Sequence, residues 1–141
     1  MSKPQKPLNL RITIKGPRNR IYIGKDVIRA LEFPPFICIK VNEDMSSLAI
    51  QPGEEKEYMS FKVPERLFES NKVEFTVHSK SFVHTLLAAN GLDGQMNCPL
   101  MGVYSEPGNA VVFKVLRIHE QLGDELKNAI KIQSTTDPAI Y

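Results

Sequence analysis

The chain has 141 residues, 42% apolar and 24% charged, with a net charge of +2. These are the proportions of a soluble globular protein, one ordinary domain or two small modules sharing a core. No apolar run approaches the roughly 20 residues that span a bilayer, and "MSKPQKP" at residues 1–7 has no signal-type hydrophobic stretch, so the expectations are a Pro-rich tail, no membrane contact and a cytoplasmic location.

From residue 8, "LNLRITI" alternates Leu8, Leu10, Ile12 and Ile14 with polar residues, the period of a half-buried strand. "KGPRN" breaks it with turn residues, and "RIYI" resumes extended structure. Val27, Ile28 and Leu31 then fall on one face of a short helix. Gly24 is read as a sharp exit from the strand with positive φ, and Asp26 suits the helix dipole. Pro34-Pro35 stops that helix; "FICIKVN", "EDMS" and "SLAIQP" read as strand, turn and returning strand.

"GEEKE" is a candidate linker, and "YMSFKV" alternates Met59, Phe61 and Val63 as a strand. Pro64 sits where a helix can start, "KVEFTV" is another strand, and "SKSFVHTLLAANG" is a helix capped by Ser79 or Ser81 and ended at Gly91. "LMGVYS" and "AVVFKVL" flank "EPGN" as a hairpin. In "RIHEQLGDELKNAIKIQ", Ile118, Leu122, Leu126 and Ile130 are four apart, the spacing of an amphipathic helix with a weak point at Gly123; "STTDPAIY" reads as a tail.

"GKDVIRAL" and "SKSFVHTL" share a Lys, two apolar residues and a final Leu at matching positions, each after a strand and before a hairpin. The chain therefore reads as two tandem β-α-β-β units, residues 8–53 and 54–116, with a tail at 1–7, a helix at 117–133 and a tail at 134–141. The expected fold is α+β, mainly β, with a barrel-like or sandwiched pseudo-dimeric core. Its expected core is Ile12, Ile14, Ile21, Ile23, Leu31, Ile37, Ile39, Phe75, Val77, Phe82, Leu86, Val111 and Phe113.

Arg20, Ile21, Ile23, Lys25, Asp26, Val27, Arg29 and Leu31, followed by "FICIKVN" and "SLAIQP", stand where the AbrB/MazE-like (SpoVT-AbrB) swapped-hairpin family carries its pattern, and residues 8–53 resemble that family. Gly24 replaces the family's usual Pro, Ile28 stands where a second Arg is common, and the Pro-Pro pair is an insertion. The resemblance implies interleaved hairpins closing one barrel, here within a tandem chain as a monomer with a pseudo-two-fold core or as a homodimer. It also implies DNA binding by a bacterial or mobile-element regulator.

Independently of that resemblance, charge is uneven. Residues 1–53 hold nine Lys/Arg (Lys3, Lys6, Arg11, Lys15, Arg18, Arg20, Lys25, Arg29, Lys40) against four acids (Asp26, Glu32, Glu43, Asp44), a balance of +5, leaving −3 for the rest. Lys15, Arg18, Arg20, Lys25 and Arg29 cluster around a Gly-Pro turn and a helix start, where phosphate contacts are natural, and they are the candidate contacts to double-stranded DNA. The bland reading is a set of solubilising surface charges. The alternative function is a module that binds and modulates a toxin, nuclease or other DNA-associated protein, using the C-terminal helix and the hairpin edges. An enzyme is not expected: His78 and His84 with Ser79 and Ser81 match no hydrolase, zinc-protease, P-loop or dinucleotide pattern. Cys38 and Cys98 match no metal or redox spacing, so no catalytic residue, metal or cofactor is expected.

Overall fold

The alternation at the start of the chain is realised over Arg11–Lys15 (β1), where Ile12 and Ile14 are fully buried while Arg11 stays in solvent. The computed structural model describes residues 8–115. The tails expected at 1–7 and 134–141 and the helix expected at 117–133 lie outside the described residues. β1 reverses through one 3₁₀ turn, Gly16–Arg18, closed by Asn19 in the left-handed region (φ 56°), into β2 (Arg20–Gly24). Asparagine is among the residues that occupy that region at low cost.

After β2 come α1 (Lys25–Ala30) and the hairpin β3 (Phe36–Val41) with β4 (Ser47–Pro52). Then follow β5 (Ser60–Lys62), β6 (Glu74–His78), α2 (Lys80–Ala89) and the hairpin β7 (Asn97–Ser105) with β8 (Ala110–Lys114). The helix start expected at Pro64 is only a 3₁₀ turn, Leu67–Glu69. The segment has one buried anchor, Leu67, too little to nucleate a longer helix.

All pairings are antiparallel, and the eight strands form a nearly closed, barrel-like sheet in the order β5-β3-β4-β8-β7-β1-β2-β6. The fold is α+β and mainly β. Its opening lies between the end strands, β5 and β6. β7 is the corner: Asn97–Met101 pair with β1, and Gly102–Ser105 pair with β8. The switch falls at Gly102, where a Cβ would come 2.6 Å from the Phe113 ring opposite, so only glycine lets the bent strand and the buried Phe113 share the space.

Both helices end in the same hydrogen-bonded motif. In α2, Leu92 N–H donates to Leu87 O (2.8 Å) and Gly91 N–H to Ala88 O (3.1 Å), with Gly91 at φ 69°. In α1, Phe33 N–H donates to Ile28 O (2.9 Å) and Glu32 N–H to Arg29 O (3.0 Å), with Glu32 at φ 62° and Phe33 at φ 60°. These are Schellman caps, one built on glycine and one on glutamate. The α1 stop thus precedes Pro34, which supplies the reason the chain cannot continue helical. At its start α2 has the expected Ser79 cap, whose Oγ accepts from Phe82 N–H.

Gly24 does not have the expected positive φ. It is extended (φ −66°, ψ 145°), and its role is proximity: a Cβ would lie 2.8 Å from Arg11 O on the adjoining strand. The core holds every expected residue except Phe82, which is half-buried at its edge, and adds Val27, Ile28, Leu48, Ile50, Val83, Leu87 and Leu100. Phe82 sits in the first turn of α2, above the sheet rim, whereas Val83, Leu86 and Leu87 face inward.

Substitutions at Gly24 and Glu32 should act with opposite signs. Gly24→Ala should destabilise the protein by about 1–3 kcal/mol through the forced approach to Arg11 O, and Gly24→Val by more. Glu32→Gly should raise the melting temperature, since glycine occupies the left-handed cap position without the Cβ strain. Thermal unfolding of the three variants checks both.

Candidate nucleic-acid interface

The five basic residues singled out in the sequence are separated by the fold into two groups at opposite ends of β2. Lys15 and Arg20 face each other across the β1·β2 ladder, and Arg18 lies in the turn between them. Lys25 and Arg29 follow the far end of β2, roughly 15 Å along the strand at 3.3 Å per residue.

The turn group stands on a rigid base. Gly16 N–H donates to Met96 O (2.9 Å), fixing the turn to the loop before β7, and Ser79 N–H donates to Asn19 O (3.1 Å). The side chain of Asn19 meets His84 of α2, Oδ1 to Nε2 at 2.7 Å. Arg18 is exposed, Lys15 and Arg20 are half-exposed, and none of the three is ion-paired among the described residues. Lys15 rests over the Tyr22 ring at 5.2 Å, and Arg20 Nε approaches Nε2 of His78, its partner across the β2·β6 ladder, at 3.5 Å. Lys80, two residues beyond His78, opens α2 at the same end.

The other group is occupied with the protein itself. Lys25 Nζ donates to Ser70 O (2.9 Å) and lies over the Phe68 ring at 5.7 Å. Arg29 stacks on the same ring at 5.0 Å and pairs with Asp26, whose other oxygen accepts the Asn9 N–H (2.7 Å). Phe68 also meets Phe33 edge-on, with centroids 5.0 Å apart. These contacts pin the 3₁₀ segment Leu67–Glu69 to α1. Arg11, Lys25, Arg29 and Lys72 line a cleft of about 390 Å³ there, but two of its four cations are spent on internal contacts.

His78 and Lys80 join the turn group only because β6 pairs with β2, and no spacing within the sequence announces that neighbour. Among the described residues no cluster of three or more His, Cys, Asp or Glu could hold a metal ion. Cys38 and Cys98 are both buried and free. Burial pushes the Cys98 thiol up from its ordinary value; burial first, and then the Glu57 carboxylate, do the same for Cys38, whose Sγ donates to Tyr58 O at 3.4 Å. Neither thiol has the electropositive, exposed setting of a nucleophile. Among the described residues no helix is long and apolar enough to cross a membrane.

Compared with known proteins, the chain matches no family model, no curated protein and no solved structure.

The division of the cations has a direct consequence. Lys25→Ala should cost about 1–2 kcal/mol, because it removes a charged donor from the partly buried Ser70 carbonyl, while Arg18→Ala should leave the unfolding midpoint unchanged. Chemical denaturation of both variants distinguishes the two ends. The thiols set a pH dependence: with folded values raised, the unfolded state loses protons first as pH climbs, so stability held at neutral pH should fall above the ordinary thiol range. Cys98→Ala should blunt that alkaline fall in a melting series.

Proposed function

We propose that the chain is a single-chain swapped-hairpin barrel of two tandem units, and that it binds double-stranded DNA through the β1–β2 turn without being an enzyme. The observation that carries the architecture is a permutation. Exchange β1 to β4 with β5 to β8 in order, and every ladder but one falls on a ladder of the same sheet. β1·β7 becomes β5·β3, β3·β4 becomes β7·β8, and β2·β6 and β4·β8 return to themselves. Only β1·β2 has no counterpart, and β5 and β6 are the two strands that flank the opening.

Register supports the same reading. The pair Ile39–Ile50 in the first hairpin corresponds to Gly102–Phe113 in the second, and Val41–Leu48 to Tyr104–Val111, with no slip between them. β2·β6 is symmetric about Tyr22–Thr76, and its ends are extended alike: Lys25 N–H donates to Val73 O (2.9 Å), and Ser79 N–H to Asn19 O (3.1 Å). Two unrelated β-α-β-β pieces would have no reason to share pairings, registers and Schellman caps. The connection between β5 and β6 is longer than that between β1 and β2 and carries the 3₁₀ segment that braces α1. That insertion accounts for the missing ladder.

The family resemblance of residues 8–53 and the turn group together support DNA as the ligand. Lys15, Arg18 and Arg20 are held at the tip of a two-stranded hairpin, with Lys80 beside them and Asn19 and Gly16 tied down behind. None of the three is held in an ion pair among the described residues, and Lys15 over Tyr22 and Arg20 beside His78 have one weak contact each, so little is given up on phosphate contact. In this reading Lys25 and Arg29 brace the fold, and the interface narrows to Lys15, Arg18, Arg20 and Lys80.

A salt titration of binding to a mixed-sequence duplex, followed by fluorescence anisotropy, tests the proposal. The wild type should bind at low ionic strength with an affinity that falls as salt rises. Arg18→Glu with Arg20→Glu should weaken binding across sequences and flatten the salt slope by about two. Absence of wild-type binding at low salt would overturn the DNA reading and leave the protein-partner module in its place.

A further inference from the structure

The outer face of β4, β8 and β7 is apolar and bare among the described residues. Val112 has Ala49 opposite it on one side and Val103 on the other, and Met101 precedes Val103 by two residues on the same face. Val103 is 71% exposed, Met101 64% and Val112 37%, whereas the alternate residues Leu100, Val111 and Phe113 are buried beneath. Lys40 opposite Ala49, Arg11 opposite Met101 and Lys114 beyond Val112 rim the patch. A contiguous apolar surface with a charged rim is the mark of a face that something covers.

We propose that the occupant is this chain's own sequence after Val115, laid back across β8 with Ile118, Leu122, Leu126 and Ile130 on Met101, Val103, Val112 and Ala49. The chain leaves the described residues at Val115, directly after β8, the central strand of the patch; there Val115 N–H donates to Ser46 O. The segment therefore starts at the end of the surface it has to cover. As a helix, Ile118 to Ile130 spans about 18 Å, the length of a strand of five or six residues. β8 has five and β4 six. The stripe is four residues apart throughout, one side of that helix, with Glu120, Asp124 and Lys131 on the opposite side toward water. The proposal is independent of DNA binding.

Amide hydrogen exchange on the full chain tests it. The amides of residues 118–130 should exchange more slowly than in the isolated peptide of that sequence. Val103→Lys with Val112→Lys should abolish that protection, as should Leu122→Lys with Leu126→Lys, while the β1 and β2 amides remain protected in both. A second measurement places the segment: with Cys38→Ala and Cys98→Ala as background, Val103→Cys and Leu122→Cys should form an oxidative crosslink within one chain. Unprotected amides in the wild type, protection surviving both pairs of substitutions, or crosslinks forming only between chains, which would give the face to a second copy, would each overturn it.

Discussion

The pairing of β2 with β6 is the constraint on which the rest of this molecule depends. It joins segments that the sequence keeps far apart, and it sets where both helices begin, because Lys25 and Ser79 take their first long-range backbone bonds from the strand opposite. Once the pair is formed, Ile21, Ile23, Phe75 and Val77 lie on one buried face, and the two hairpins can close over it only by pairing β4 with β8. The corner at Gly102 then lets one strand serve both parts of the sheet. Each later contact presumes the first.

Chemically similar side chains come to have unlike roles by the same route. Lys25 and Arg29 resemble Lys15 and Arg18 in sequence, but one ring, Phe68, lies under both cations of the first pair and the Ser70 carbonyl accepts from Lys25, whereas in the second pair only Lys15 has a ring beneath it, Tyr22. An aromatic ring under two cations and a carboxylate between them make a brace. The cations at the hairpin tip lack such a brace, and they are the ones proposed to meet DNA. The difference lies in the connection between β5 and β6, which carries Phe68 and Ser70 to α1.

Much of this fold was legible in the sequence. Alternation over Ile12–Ile14, Ile21–Ile23, Phe75–Val77 and Val111–Phe113 reports strands because each has one buried face, and Ser79 and Gly91 announce the ends of α2. What was not legible depended on partners. Gly24 after a strand reads as a turn with positive φ, and only Arg11 O beside it shows that the need is for close approach; Glu32 gives no sign of the left-handed conformation it adopts. The five basic residues look like one cluster along the chain because a strand of five residues is short in sequence and long in space. His78 and Lys80 were invisible as neighbours of Arg20, since strand pairing between distant segments leaves no local trace.

The interleaving of the strands also bears on how the protein is made. The β1–β2, β3–β4 and β7–β8 hairpins are local, but β2·β6, β1·β7 and β4·β8 each wait for chain that is synthesised much later. Until β6 emerges from the ribosome, β2 and β4 present free edges and the face carrying Ile12, Ile21 and Ile50 is wet. Non-local ladders of this kind slow folding. During that interval the edges that will later be satisfied within one chain can be satisfied equally well by another nascent copy. Exchange of hairpins between neighbours is therefore the misassembly to which this topology is most exposed, and the order of synthesis, rather than the stability of the finished barrel, governs it.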